Sequence, residues 1–73
     1  MTKKEFLENI GKPIVLTEGD HFGMTHGVIY EQSPVEDEDG LVREWFLFIM
    51  EEPGRLPLYM SLFEEELHCV ELA

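Results

Sequence analysis

The side chains with the most evident potential for chemistry form one acidic run: Glu36, Asp37, Glu38 and Asp39. An EF-hand calcium loop needs acidic ligands at positions 1, 3 and 5, glycine at position 6 and a bidentate glutamate at position 12. With Gly40 at position 6, positions 1 and 12 fall on Val35 and Phe46, which have no oxygen ligand in their side chains. The run therefore indicates a solvated loop that limits aggregation of the apolar strand after it.

Three histidines and a single cysteine are the remaining candidate metal ligands. His21 and His26 are an odd number of residues apart in a segment with strand-like alternation, which places them on opposite faces. His68 and Cys69 are adjacent, so they also diverge in a regular strand. Because a structural zinc site needs four converging ligands, we predict no metal and no cofactor. We expect Cys69 to be a small core residue, His26 to be half-buried and His68 to be exposed.

No arrangement of residues indicates catalysis. The divergence of His68 from Cys69 prevents activation of the thiol, and Ser33 and Ser61 lie outside any nucleophile-elbow pattern. A chain of 73 residues also lacks the volume for a deep pocket that would separate the pKa values of paired carboxylates. There is no glycine-rich phosphate loop. We predict that the protein is not an enzyme.

Charge limits the kinds of partner. The chain contains 16 acidic and 5 basic residues, for a net charge of -11. Three lysines lie within residues 1–12, whereas residues 13–73 contain only Arg43 and Arg55 as basic residues. Such a surface repels nucleic acid and anionic membranes and attracts basic proteins. We therefore expect a basic protein partner, with no direct contact to nucleic acid or membrane, and a homodimer as a further possibility.

The secondary structure that would position these residues begins with a short helix, which we predict over residues 3–10. Thr2 and Glu5 form a capping box at its start, and Gly11 and Pro13 end it. The length predicts one domain over residues 1–73. One cysteine excludes an intrachain disulfide, and the N-terminal residues lack the apolar segment of a signal peptide, so we expect a cytoplasmic location.

Strand patterns follow within residues 13–72. We predict strands at 14–17, 22–32, 41–51, 56–62 and 67–72, with a loop at 33–40 and one helical turn at 63–66. The centre of the third strand, Trp45–Met50, is apolar on both faces, which predicts burial on both sides. Five short strands favour a small closed or half-closed barrel, because closure removes exposed edges.

This order of elements resembles that of SH3-like barrels, in which a one-turn helix separates the last two strands. The segment FLENIGKPIVLTEG, followed by Gly27, Val28 and Ile29, is also similar to the first half of the Sm-like variant, which adds an N-terminal helix. The ending of the Sm pattern, an apolar strand followed by a basic residue and glycine, is missing. The resemblance implies a five-stranded SH3-like (Sm-like) barrel, and RNA binding is not expected because of the negative charge.

The leading functional hypothesis is a binding module that presents an acidic face to a basic protein. We predict that aromatic residues beside the carboxylates take part through cation–π contacts. The predicted contact residues are Glu18, Asp20, Glu36, Asp37, Glu38, Asp39, Glu64, Glu65, Glu66, Trp45 and Tyr59. One alternative is a nucleic-acid mimic that blocks the groove of a DNA- or RNA-binding protein. Another is a structural homo-oligomer that pairs through an apolar edge or through Tyr59 and Met60.

Overall fold

Five strands and one short α-helix are the main regular elements of the computed structural model, which describes residues 1–73. Strands account for 47% of the residues and form a single antiparallel sheet. The prediction of a mainly β fold with a short N-terminal helix is therefore confirmed. In chain order the elements are α1 (Lys3–Glu8), β1 (Pro13–Leu16), β2 (His26–Glu36), β3 (Val42–Met50), β4 (Leu58–Leu62), a 3₁₀ helix (Glu64–Cys69) and β5 (Val70–Leu72).

The sheet has the strand order β4-β3-β2-β1-β5. Strands β1 to β4 form a meander, and the 3₁₀ helix then carries the chain across to β5, which pairs with β1. Strands β4 and β5 do not pair with each other, so the sheet is not closed into a barrel and keeps two open edges.

Helix α1 packs on one face of the sheet through a single buried side chain. The helix begins with the predicted capping box, in which the Thr2 hydroxyl accepts from the Glu5 amide and the Glu5 carboxylate accepts from the Thr2 amide. Its one buried side chain, Phe6, makes edge-to-face contacts with Phe46 and Phe48, at ring-centroid distances of 4.9 and 5.3 Å. Phe6 shares this core with side chains from all five strands and with Leu67 of the 3₁₀ helix, so the helix and the sheet together bury the face.

Strand β3 has two different faces, contrary to the prediction that both would be buried. Phe46, Phe48 and Met50 are fully buried in the core that contains Phe6, whereas Leu47 and Ile49 are only half-buried. The reason is that the apolar residues on the far side of the strand have no helix or second sheet packed against them. Apolar composition alone could not reveal which side α1 would cover.

Several predicted boundaries were wrong. Strand β2 begins at His26 rather than at residue 22, because Phe22 and Gly23 both have positive φ, at 52° and 81°, and make a tight turn. It also continues to Glu36, where a loop was predicted. The helical segment after β4 extends to Cys69, so β5 is only three residues long. His26, predicted to be half-buried, is exposed.

Candidate functional site

The acidic run of residues 36–39 lies at the tip of the β2–β3 hairpin. Asp37 organises this tip, because its Oδ1 accepts hydrogen bonds from the amides of Asp39 and Leu41, both at 2.9 Å. The side chains of Glu36, Glu38 and Asp39 are exposed and have no basic residue within ion-pair distance. The hairpin therefore projects three carboxylates that are free to meet an external cation.

The 3₁₀ helix carries the second acidic group, Glu64 to Glu66. Glu65 forms an ion pair with Arg43 of β3, while Glu66 caps the helix by accepting from the Phe63 amide at 3.1 Å. A backbone hydrogen bond, supported by the Arg43 guanidinium, lowers the pKa of Glu65 below its ordinary value. Glu64 has no ion-pair partner, so it is the member of this group most available to another molecule.

The third group, Glu18 and Asp20, lies in the connection between β1 and β2. The Glu18 carboxylate is 3.5 Å from Nε2 of His68, on the 3₁₀ helix. Asp20 accepts a hydrogen bond from the Gly23 amide at 2.9 Å and holds the tight turn. The 3₁₀ helix thus contacts the hairpin beside its tip through the pair of Glu65 with Arg43, and it contacts the β1–β2 connection through His68. The β1–β2 connection itself precedes β2 and lies at the opposite end of that strand from the tip.

The two predicted aromatic residues differ in their surroundings. Trp45 is half-buried against Phe63 with ring centroids 5.8 Å apart, and its indole nitrogen has no hydrogen-bond partner. The Arg43 guanidinium already covers the Phe63 ring at 3.5 Å from the centroid, so this aromatic pair has a cation from within the chain. Tyr59 is 64% exposed, and its ring contacts only that of Tyr30 among the aromatic residues. Tyr59 is therefore the more accessible of the two.

Sequence reasoning missed two exposed aromatic residues, Tyr30 and Phe22. A β-bulge between Ile29 and Glu31 displaces Tyr30 from the regular alternation, and periodicity cannot detect such a shift. Phe22 lies in a left-handed turn, for which the following Gly23 was a detectable signal. Met60, proposed above as an exposed contact residue, is instead buried.

The histidines and the cysteine do not converge. No group of three or more His, Cys, Asp or Glu side chains is arranged to hold a metal ion. His21 Nε2 lies 3.0 Å from the carbonyl oxygen of Tyr59, which attaches the β1–β2 connection to β4. Burial raises the pKa of the Cys69 thiol above its ordinary value, so the reactive thiolate is disfavoured there.

Comparisons with known proteins assign neither a family nor a function to this chain. No protein-family model, curated protein or solved structure matches this chain. None of its helices has the length and apolar character needed to cross a lipid bilayer.

Proposed function

We propose that this protein is a non-enzymatic binding module whose acidic surface recognises a basic protein. The observation that carries the proposal is the shortage of cations within the chain. Five of the 16 carboxylates have a basic or histidine side chain within 4.0 Å, and the other eleven have none. Holding so many uncompensated carboxylates on 73 residues costs folding free energy through self-repulsion. A cationic partner would relieve that cost.

The proposed fold for this module is an incompletely closed SH3-like barrel. The strand order β4-β3-β2-β1-β5 and the 3₁₀ helix directly before β5 support it. Four carboxylates near the hairpin tip and on the 3₁₀ helix have no hydrogen bond or ion pair within the chain: Glu36, Glu38, Asp39 and Glu64.

A charge-matched pair of variants tests this proposal. Glu38→Gln/Asp39→Asn removes two free carboxylates from the hairpin tip, and Glu8→Gln/Glu71→Gln removes two elsewhere. Proteins captured from a lysate at low salt and released at high salt would be identified, and the affinity of the purified partner measured at several salt concentrations. We expect only the hairpin variant to weaken binding by several fold and to flatten its salt dependence. Equal losses in both variants would show that overall charge, not this surface, drives binding. Competition by DNA for the captured partner would instead support the nucleic-acid mimic.

Self-association is a second candidate, favoured by the outer edge of β4, which pairs with no other strand and is contacted by His21 at the Tyr59 carbonyl. This strand, Leu58–Leu62, contains no charged residue and no proline, which are the usual protections of an edge against strand pairing. Sedimentation at increasing protein concentration distinguishes the two functions. A stable dimer in the absence of any partner would favour the structural role.

A further inference from the structure

One face of the sheet is left without cover. This outer face is the side of β2, β3 and β4 opposite to α1, and its central row consists of Val28, Ile49 and Tyr59, which are direct cross-strand neighbours. Val28 and Ile49 are half-buried, and Tyr59 is exposed. An apolar row of this kind at the centre of a sheet is normally buried by another layer.

Two tyrosine rings stand on this face. The β-bulge brings Tyr30 of β2 against Tyr59 of β4, with ring centroids 5.6 Å apart and planes inclined at 57°. Tyr30 is 41% exposed and Tyr59 is 64% exposed, so ring surface on both remains open to solvent. Open tyrosine faces attract the guanidinium of arginine and the ammonium of lysine.

Carboxylates lie on both sides of the tyrosine pair. Glu31 is the cross-strand neighbour of Leu47, one row from Ile49, and Glu51 follows Ile49 by two residues on the other side. Both are exposed, and neither has a basic side chain within 4.0 Å; Arg55, which lines the same cavity as Glu51, pairs with Glu52 instead. Four of the five basic side chains already pair with other carboxylates, and the one cation–π contact in the chain is that of Arg43 with Phe63. The chain therefore has no cation of its own for the tyrosine pair.

Phe22 provides an independent indication of binding at the adjacent edge of β4. Its φ of 52° is in the left-handed region, which disfavours a side chain with a bulky ring, and the ring is nevertheless 71% exposed. The His21 ring contacts Phe22 edge-to-face and also bonds to the Tyr59 carbonyl, so Phe22 lies beside β4. Neither packing nor backbone geometry explains an exposed phenylalanine at this position. Strained, exposed residues are concentrated where proteins bind ligands.

We infer that the outer face is the anchoring site for the basic partner, through an arginine or lysine placed on the Tyr30–Tyr59 pair and an apolar side chain placed against Phe22. This inference rests on the proposed function and specifies the chemistry of the partner: a segment in which a cationic residue lies close to an apolar one. Glu31 and Glu51 neutralise the cation, and Ile49 supports the tyrosine rings from below.

Charge complementarity decides between this occupant and a second copy of the chain. A second copy would bring its own net charge of -11, including its own Glu31 and Glu51, towards the same carboxylates. It would offer Lys12 as its only basic side chain without a carboxylate partner. A cationic segment from another protein satisfies both the aromatic rings and the carboxylates.

A direct test uses short synthetic peptides of alternating arginine and leucine, with lysine–leucine and glutamate–leucine peptides for comparison. Binding to the full chain would be followed by NMR at low ionic strength. We expect shifts at the rings of Tyr30 and Tyr59, no binding of the glutamate peptide, and a loss of affinity of about tenfold for Tyr59→Leu. Tyr59→Phe keeps the aromatic face and should bind like the unmodified protein, while Phe22→Ala should weaken binding of both cationic peptides.

Three other outcomes would each overturn the inference for a different reason. NMR shifts confined to residues 36–39, with an unchanged affinity of Tyr59→Leu for the peptide, would place the cation on the hairpin. The outer face would then not be the anchoring site, but the proposed function would still hold. Absence of salt-sensitive binding by either cationic peptide would contradict both. A concentration-dependent dimer abolished by Tyr59→Leu would make a second copy the occupant. Tyr59 and Phe22 are both exposed, so we expect their replacement to leave the core intact. Unchanged fluorescence of Trp45 would show that each variant is folded.

Discussion

Replacing Phe22 with asparagine should make the protein more stable, although it removes a large apolar side chain. Phe22 and Gly23 have φ angles of 52° and 81°, which are those of the two central residues of a tight type I′ turn. Asparagine followed by glycine is a favoured pair for such a turn, since asparagine adopts the left-handed region readily. The substitution therefore relieves backbone strain at a site where the ring is largely exposed.

Two opposing effects set the size of the change. A residue other than glycine or asparagine costs roughly 1–2 kcal/mol in the left-handed region. Loss of the edge contact between Phe22 and His21, whose ring centroids are 4.8 Å apart, costs about 0.5 kcal/mol at an exposed site. Strain relief is the larger effect. Because asparagine keeps a small part of the cost of the left-handed region, we expect a net gain of about 0.5–1 kcal/mol in the free energy of unfolding. This corresponds to a rise of about 2–8 °C in the melting temperature of a domain of this size.

Urea denaturation followed by the fluorescence of Trp45, the only tryptophan, measures this difference. Phe22→Ala is the matched control, because alanine removes the ring but keeps the unfavourable φ. We expect the asparagine variant to be more stable than the original protein and the alanine variant to be no more stable than it. Equal destabilisation by both substitutions would refute the reasoning, because it would show that packing of the ring outweighs the strain of the turn.

Three further substitutions probe the elements that hold the fold. Gly27→Ala should destabilise the protein by roughly 1–3 kcal/mol, because the new Cβ would lie 2.6 Å from the Ile49 carbonyl oxygen and 2.8 Å from the Met50 sulfur; thermal denaturation measures the loss. Phe6→Ala should cost about 3–5 kcal/mol, comparable with the whole stability of a small domain, so far-UV circular dichroism should show a largely unfolded chain at room temperature. The pKa of Glu5 is lowered by the hydrogen bond from the Thr2 amide, so its contribution to stability is present above the ordinary carboxyl pKa and is lost as the pH falls through the lower folded value. Glu5→Gln should therefore be less stable than the original protein near neutral pH, and the difference in melting temperature between the two should shrink as the pH falls. A difference that stays constant down to acidic pH would contradict the role of Glu5 in the cap.

Much of the local structure follows from short-range chemistry in the sequence. The capping box of Thr2 and Glu5 and the stop at Gly11 indicated the helix before any tertiary contact was known. Alternation and β-branched residues indicated the strands, because a pleated strand places successive side chains on opposite faces. Boundaries were wrong where one residue changed the backbone direction, as at Phe22 and at the bulge beside Tyr30.

Only part of the candidate site could be predicted from the sequence. The carboxylates of the hairpin were evident from the sequence, and Tyr59, one of the two aromatic residues predicted to contact a partner, is 64% exposed. The internal cation–π contact of Arg43, which leaves less of the Trp45–Phe63 pair open, was not anticipated. Arg43 and Trp45 of β3 meet Phe63, which directly follows β4, because the two strands pair, and such contacts have no local signature.

The sequence by itself determined the mainly β class, the N-terminal helix and the strong negative charge, because each depends on residue type and on spacing within a few positions. Only the tertiary structure decided that the sheet stays open between β4 and β5, that α1 covers one face of β3, and that Tyr30 and Tyr59 meet on the other. The physical reason is that the covering of a face and the pairing of an edge depend on residues far apart in the chain. Their energies are set by which surfaces meet, and residue order alone does not specify that.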